Sequence, residues 1–150
     1  MKTALASLLL AAAAAGHAQA PAPVAVDDAW ARSTVPGQET SGAYMTLTAR
    51  EPLSLVGART PAAGRVELHE MKMEGEVMKM REAEPVTLAP GKPLQLSPGG
   101  GYHFMLMQLK SPLKPGSTIP MTLRFRDAQG AERQLSLTVP VTVAGPAHKH

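Results

Sequence analysis

The segment Val66–Arg81 reads VELHEMKMEGEVMKMR, and its pattern predicts two β-strands joined by a tight turn. Val66 and Leu68 have the same parity, and we assign both to the core. The alternate positions of this strand then face the other way, and they are Glu67, His69, Met71 and Met73. One face of the predicted hairpin therefore carries an imidazole and thioethers.

The turn sets the register of this hairpin. Glu74-Gly75 fits a two-residue loop in which glycine supplies a positive φ. Such a loop pairs Met73 with Glu76, Met71 with Met78, and His69 with Met80. Directly opposite residues have Cβ atoms about 4.5–5.5 Å apart, so His69 and Met80 are predicted neighbours.

A second strand of the same character lies at Tyr102–Met107. Phe104 and Leu106 are predicted to pack inward, so His103, Met105 and Met107 face outward. If this strand lies beside the hairpin, four neutral donors converge, and they are His69, Met80, His103 and Met105. Three further outward methionines are predicted to be alternate ligands or a sulfur-lined apolar rim that excludes water, and they are Met71, Met78 and Met107.

The donor types select the metal. Six of the nine methionines fall within 37 residues, and the chain has no cysteine. Thioether and imidazole without thiolate form a soft, neutral set that suits Cu(I). Zinc usually takes thiolate, imidazole and carboxylate, blue copper needs a thiolate, and magnesium and calcium need oxygen donors. Methionine is also ordinary core filler, and a lone histidine on a strand is more often a surface residue. The copper hypothesis therefore rests on the joint pattern.

The rest of the chain predicts an all-β fold. Short runs rich in Val, Leu and Thr alternate with turns that use many of the 14 prolines and 13 glycines, which indicates an antiparallel sandwich or barrel. The predicted strands are Val24–Arg32, Gly42–Ala49, Leu53–Ala58, Arg65–Met73, Val77–Arg81, Leu94–Leu96, Tyr102–Leu109, Ile119–Asp127 and Glu132–Val143.

The N-terminal residues 1–20 have the pattern of a secretory signal peptide. Lys2 precedes an apolar run and then small residues, which favours cleavage after Ala18 or after Ala20. The run is about twelve residues, and spanning a membrane takes about 20, so no stable membrane insertion is predicted. Residues 21–143 are predicted to form the domain and residues 144–150 a flexible tail.

Composition excludes several function classes. Without Lys2 the exported chain has 14 basic and 12 acidic residues, a net charge of +2, and it has no basic run, so nucleic acid is not a predicted partner. The absence of cysteine excludes disulfides and cysteine nucleophiles. Neither a Ser-His-Asp arrangement nor a paired-carboxylate motif stands out, and the chain is not predicted to be an enzyme.

At these residues the sequence resembles the PCuAC family of periplasmic copper chaperones. The family pattern is a His, ten residues, a Met, about twenty-one residues and then His-x-Met. Here ten residues separate His69 from Met80, and 22 separate Met80 from His103-Phe104-Met105. The likeness covers residues 24–143 and includes Asp28–Arg32 and Gly42–Met45.

The resemblance implies a cupredoxin-like or immunoglobulin-like Greek-key sandwich. It also implies a periplasmic Cu(I) carrier that supplies the CuA centre of cytochrome c oxidase subunit II, together with Sco-type proteins. Some relatives bind Cu(II) through His-rich C-terminal extensions, and His148 and His150 would be a short version of one.

Two alternatives remain open. A copper-resistance or storage protein would share the chemistry and have no oxidase target. A β-sandwich interaction module would use its methionines as a protein-binding face and bind no metal.

Overall fold

The computed structural model describes residues 22–146, and every regular element in that range is a β-strand. The strands are β1 (Val24–Arg32), β2 (Ser41–Ala49), β3 (Leu53–Arg59), β4 (Ala63–Glu74), β5 (Val77–Glu82), β6 (Val86–Leu88), β7 (Leu94–Leu96), β8 (Tyr102–Leu109), β9 (Thr118–Asp127) and β10 (Glu132–Thr142). The prediction of an all-β domain is confirmed. In residues 22–146 we find no helix that is long and apolar enough to cross a membrane.

The strands form one open, mixed sheet in the order β5-β4-β8-β7-β2-β1-β10-β9-β3-β6, with β8 also paired to β2. Most neighbours run antiparallel, whereas β1 with β10 and β7 with β8 run parallel. One hydrophobic cluster contains residues of both halves of this sheet, including Leu47 and Phe104 from one half and Leu55 and Phe125 from the other. The two halves therefore pack face to face across a shared core, as in a sandwich.

Alternation along β8 determines which face meets the core. Phe104 and Leu106 are fully buried in the cluster, as predicted, and each contributes about 1.5–3 kcal/mol by leaving water. His103, Met105 and Met107 occupy the other face of the strand. The core residues of β8 thus hold three potential metal ligands on the outer face of the sheet.

A bulge in β1 turns an aromatic residue to the same outer face. The pairing of β1 with β2 shifts between Asp27 and Trp30, and Asp28 has a φ of 53°. Val26 packs against the core before the shift, and Ala31 is fully buried after it. Because the extra residue reverses the parity, Trp30 lies on the outer face, opposite Tyr44 of β2.

The predicted loop of the β4–β5 hairpin was wrong. Glu74 pairs with Val77, so the two loop residues are Gly75-Glu76 and not Glu74-Gly75. Gly75 has a φ of 64°, and a turn with glycine at its first central position matches the twist of paired strands. The register moves by two residues, which keeps every side chain on its predicted face and changes its partner. Met71 lies opposite Met80, Met73 opposite Met78, and His69 opposite Glu82.

The sequence prediction also missed β6, which has three residues and pairs with β3 at the far edge of the sheet. Strand bounds elsewhere agree with the prediction to within two residues. The predicted signal peptide, its cleavage positions after Ala18 and Ala20, and the tail residues His148 and His150 lie outside the described residues.

Candidate metal centre

The two predicted histidine ligands lie directly opposite each other. His69 of β4 pairs with His103 of β8, and their ring centroids are 5.7 Å apart at an interplanar angle of 61°. His103 is 6% exposed, so its ring is enclosed although it lies on the outer face of the sheet. The central requirement of the copper hypothesis, that separate β segments bring these imidazoles together, is therefore met in this structure.

Met105 and Met107 extend the histidine row along β8. Met105 is two residues from His103 on the same face and lies opposite Glu67, and both Met105 and Met107 are partly buried. Met107 lies opposite Arg65, whose Nη2 is 3.8 Å from the Met107 sulfur. Met105 is thus the nearer of the two to the histidine pair.

The methionines of the hairpin lie on the other side of His69. Met71 follows His69 on the same face of β4, and its amide donates to the carbonyl of Gly101 at 2.8 Å, beside the start of β8. Met80 lies opposite Met71, one strand farther from His103. With strands about 4.8 Å apart and about 3.4 Å per residue, the Cα atoms of Met80 and His103 are about 12 Å apart on a flat sheet. The structure therefore places Met80 diagonally from His69 and gives Met71 the shorter path to both histidines.

The outer methionines of the hairpin are open to solvent. Met80 is 46% exposed, Met78 52% and Met73 54%. Met78 pairs with Met73 next to the turn, farther from the histidines than Met80. The long, unbranched thioether side chains on this edge strand have room to change conformation around an arriving ion.

One ring nitrogen of His69 is hydrogen-bonded and the other is not. Nε2 lies 2.7 Å from Oε2 of Glu67, and the other carboxylate oxygen of Glu67 forms an ion pair with Arg65. Among the buried side-chain nitrogen and oxygen atoms of residues 22–146, Nδ1 of His69 is the one without a hydrogen-bond partner. A buried polar atom without a partner is uncommon, and a ligand is one of the things that explain it.

An aromatic wall encloses His103. Tyr44 lies 6.3 Å from His103 between ring centroids, and Trp30 lies 4.7 Å from Tyr44. The Arg32 guanidinium is 5.8 Å from the centroid of each of those two aromatic rings. Gly145, after β10, lies against the outer ring, since a Cβ there would be 3.1 Å from Trp30. The wall leaves His69 and the methionines as the open side of the site.

Burial lowers the pKa of His103 from its ordinary value of 6.5, and repulsion from His69 lowers it further. The imidazole of His103 therefore stays neutral at pH 7 and can offer a lone pair without first losing a proton.

The donor set fits a soft monovalent ion. In residues 22–146 no three His, Asp or Glu side chains are grouped closely enough to hold a metal ion. Two imidazoles and neighbouring thioethers are the donors at hand, and this combination favours Cu(I) over the harder divalent ions. The unpartnered nitrogen of His69 and the neutral ring of His103 are both suited to it.

Sequence reasoning did not assign a role to Glu67, Tyr44 or Trp30 at this site. Glu67 has the same parity as His69, so its place on the ligand face could be read from the alternation, but its hydrogen bond could not. The position of Trp30 depends on the bulge in β1, for which the sequence had no clear signal. The contact of Tyr44 with His103 depends on the pairing of β2 with β8, which local pattern does not give.

Comparisons with known proteins agree with this fold. A family model described as "Putative lipoprotein LpqE-like" matches residues 24–141. A curated relative, "Putative lipoprotein Lxx21020" of Leifsonia xyli subsp. xyli, is 37% identical over 105 residues, which are 69% of this chain and 63% of the relative. The chain thus matches less than two thirds of that relative's length.

Several solved structures similar to this chain are PCuAC domains or forms of the protein DR1885. The apo PCuAC domain from PmoF1 has a TM-score of 0.65 at 23% identity, over 84% of this chain and 98% of that one, which shows a common fold. The solution structure of CuI-DR1885 from Deinococcus radiodurans has a TM-score of 0.60 at 33% identity, over 85% of this chain and 83% of that one. The solution structure of apo-DR1885 has a TM-score of 0.59 at 32% identity, over 96% of this chain and 97% of that one. This chain belongs to the LpqE-like family and is a PCuAC-like domain.

Proposed function

We propose that this chain is an exported, envelope-associated copper chaperone that carries Cu(I) between β4 and β8 and passes it to another protein. The observation that carries the proposal is the opposed pair His69 and His103, one with a bare buried nitrogen and the other neutral at pH 7. Copper is cargo here and not a resident cofactor. The related DR1885 has been solved with Cu(I), and the family model is described as lipoprotein-like, which supports both the metal and the envelope location.

The proposed ligands are His69, Met80, His103 and Met105. Met80 reaches the ion if the exposed hairpin bends toward β8, and Met71, one strand nearer His103, needs less movement than Met80. A thioether or a neutral imidazole loses no proton from its donor atom when it binds a metal ion. Copper can therefore leave by stepwise exchange of one neutral ligand for a ligand of the recipient. This behaviour suits a carrier and needs no catalytic group.

The proposed recipient is the CuA domain of cytochrome c oxidase subunit II in the periplasm, with Sco-type proteins as further partners. The basis for this recipient is the likeness to PCuAC chaperones. A second copper site, for Cu(II), is proposed at His148 and His150.

Competitive titration with a Cu(I) chelator tests the binding step. We expect wild type to compete for Cu(I), and H69A/H103A to bind at least about 100-fold more weakly, equivalent to about 2.7 kcal/mol. Far-UV circular dichroism of the apo variant checks that the β fold is retained. An unchanged affinity in a folded double variant would rule out this site.

Transfer to an apo CuA domain tests the function beyond binding. A chaperone loses Cu(I) to that domain, and the CuA absorption bands appear once the domain is fully loaded under suitable redox conditions. A storage or resistance protein retains its copper in the same mixture. A methionine-rich interaction module binds no Cu(I) in the titration and gives no transfer.

A further inference from the structure

Glu67 lies on the same face of β4 as His69 but is not one of the proposed copper ligands. It lies two residues before His69 on β4, opposite Met105, and its side chain is 13% exposed. An acidic side chain is seldom this enclosed unless it has partners. Its two oxygens contact Arg65 and His69, so the carboxylate bridges a cation and an imidazole.

The contact with His69 fixes a proton. An ionised carboxylate can only accept hydrogen bonds, so the 2.7 Å contact requires the proton on Nε2 of His69. In a neutral ring the lone pair is then on Nδ1. Nδ1 is the ring nitrogen that is buried and has no partner in the described part of the chain.

Arg65 holds the carboxylate in place. Its guanidinium contacts the Glu67 oxygen that does not face His69, and it also lies 3.8 Å from the Met107 sulfur. Because the side chain of Arg65 is 59% exposed, its ion pair adds little stability, and its effect is mainly to limit the orientation of Glu67.

We infer that Glu67 is a positioning residue that sets the tautomer of His69 and makes Nδ1 the nitrogen that binds Cu(I). This inference rests on the proposed function and deepens it. A carboxylate on the far nitrogen of a metal-binding imidazole orients the ring and raises its basicity, and its loss typically lowers metal affinity about 10–100-fold. Glu67 does not itself touch the ion.

The first measurement is the tautomer of His69 in the apo protein. In a ¹⁵N-labelled sample at slightly alkaline pH, long-range ¹H–¹⁵N correlation distinguishes the protonated ring nitrogen from the bare one. We expect Nε2 protonated and Nδ1 bare in wild type and in E67Q, whose amide oxygen still accepts from Nε2. In E67A the ring is expected to become a mixture of tautomers.

The second measurement adds Cu(I), which is diamagnetic and can be followed by the same spectra. We expect the Nδ1 resonance of His69 to shift in wild type, and the affinity to fall about tenfold or more in E67A while E67Q retains most of it. Glu70→Ala is the matched control, since Glu70 is three residues after Glu67 and faces the other side of β4, where it pairs with Arg81. Its affinity and tautomer should match wild type.

The outcomes separate the two proposals. If wild type binds no Cu(I), the proposed function fails whatever the tautomer. If wild type binds Cu(I) through Nε2, or if folded E67A keeps both the wild-type tautomer and the wild-type affinity, only the role of Glu67 is overturned. Thermal unfolding of the apo variants shows whether a loss of affinity reflects a loss of fold, and a recovery in E67Q argues against a purely structural effect.

Discussion

At the scale of single residues, the site combines two histidines in different surroundings. His69 has a carboxylate on one nitrogen, and His103 is enclosed by Tyr44 and by His69 itself. No acidic side chain is seen bonded to His103 in residues 22–146, so its charged form has no compensation for burial. The structure thus favours a neutral His103, which is the form that a metal requires.

The lowered pKa of His103 predicts how the stability of the apo protein depends on pH. The unfolded chain takes up a proton near 6.5, whereas folded His103 does so only at lower pH, so the unfolded state binds more protons in between. The contribution of neutral His103 to the free energy of unfolding is fully present above pH 6.5 and is lost as the pH falls through the pKa of the folded state. Below that pKa, His103 causes no further change. Chemical denaturation between pH 7 and about 5, above most carboxylate titrations, measures it.

The control for this prediction is His103→Gln, which keeps a polar side chain and removes the titration. Its stability should vary less with pH than that of wild type over the same interval. Identical slopes in the two proteins would show that His103 titrates normally in the fold.

At the scale of elements, the β4–β5 hairpin and strand β8 divide the proposed ligands between them. The faces of all three strands followed from the alternation of Leu68, Phe104 and Leu106 with the donor residues, and the structure agrees. The register of the hairpin did not follow, because either of two neighbouring residue pairs around Gly75 could form the loop. Only the preference of the turn for a positive φ at its first position separates them.

The corrected register predicts different effects for two neighbouring methionines. Met80 lies diagonally from His69, and Met78 lies one step nearer the turn, with similar exposure and on the same face. We expect Met80→Leu to weaken Cu(I) binding and Met78→Leu to leave it within about twofold, while neither costs more than about 1.5 kcal/mol of stability. Chelator competition with both variants measures this, and equal losses would contradict the placement of Met80.

Strand β2 supports the site from the other side through Gly42. Gly42 lies opposite Met105, and a Cβ at this position would collide with the Tyr44 phenol. Because Tyr44 is packed between Trp30 and His103, we expect Gly42→Ala to cost about 1–3 kcal/mol and to alter Trp30 fluorescence. Gly57→Ala in β3 is the control, since a Cβ there has nothing within 4 Å. Equal stability of the two variants would mean that Tyr44 moves aside freely.

At the scale of the whole molecule, one half of the sheet has two uses. Its inner face meets the other half in the core, and its outer face carries the row Trp30, Tyr44, His103 and His69 across β1, β2, β8 and β4. Local sequence pattern could predict the strands and their faces. It could not predict that β4 and β8 pair in the register that joins His69 to His103, because strand pairing at long sequence separation depends on the complete core. The resemblance to the PCuAC motif was what predicted that His69 and His103 belong to one site.

This arrangement predicts that Cu(I) stabilises the entire fold. An ion that binds the folded state alone stabilises it by about 2.7 kcal/mol when free Cu(I) is 100 times the Kd. For a domain of this size the melting temperature should rise by several degrees, at about 2–8 °C per kcal/mol. Thermal unfolding under reducing, anaerobic conditions, with Cu(I) buffered by a chelator, measures the shift. H69A/H103A should show little of it, because the proposed imidazole ligands on both β4 and β8 are gone. An identical rise in that variant would indicate copper binding elsewhere, and no rise in wild type would favour the metal-free interaction module.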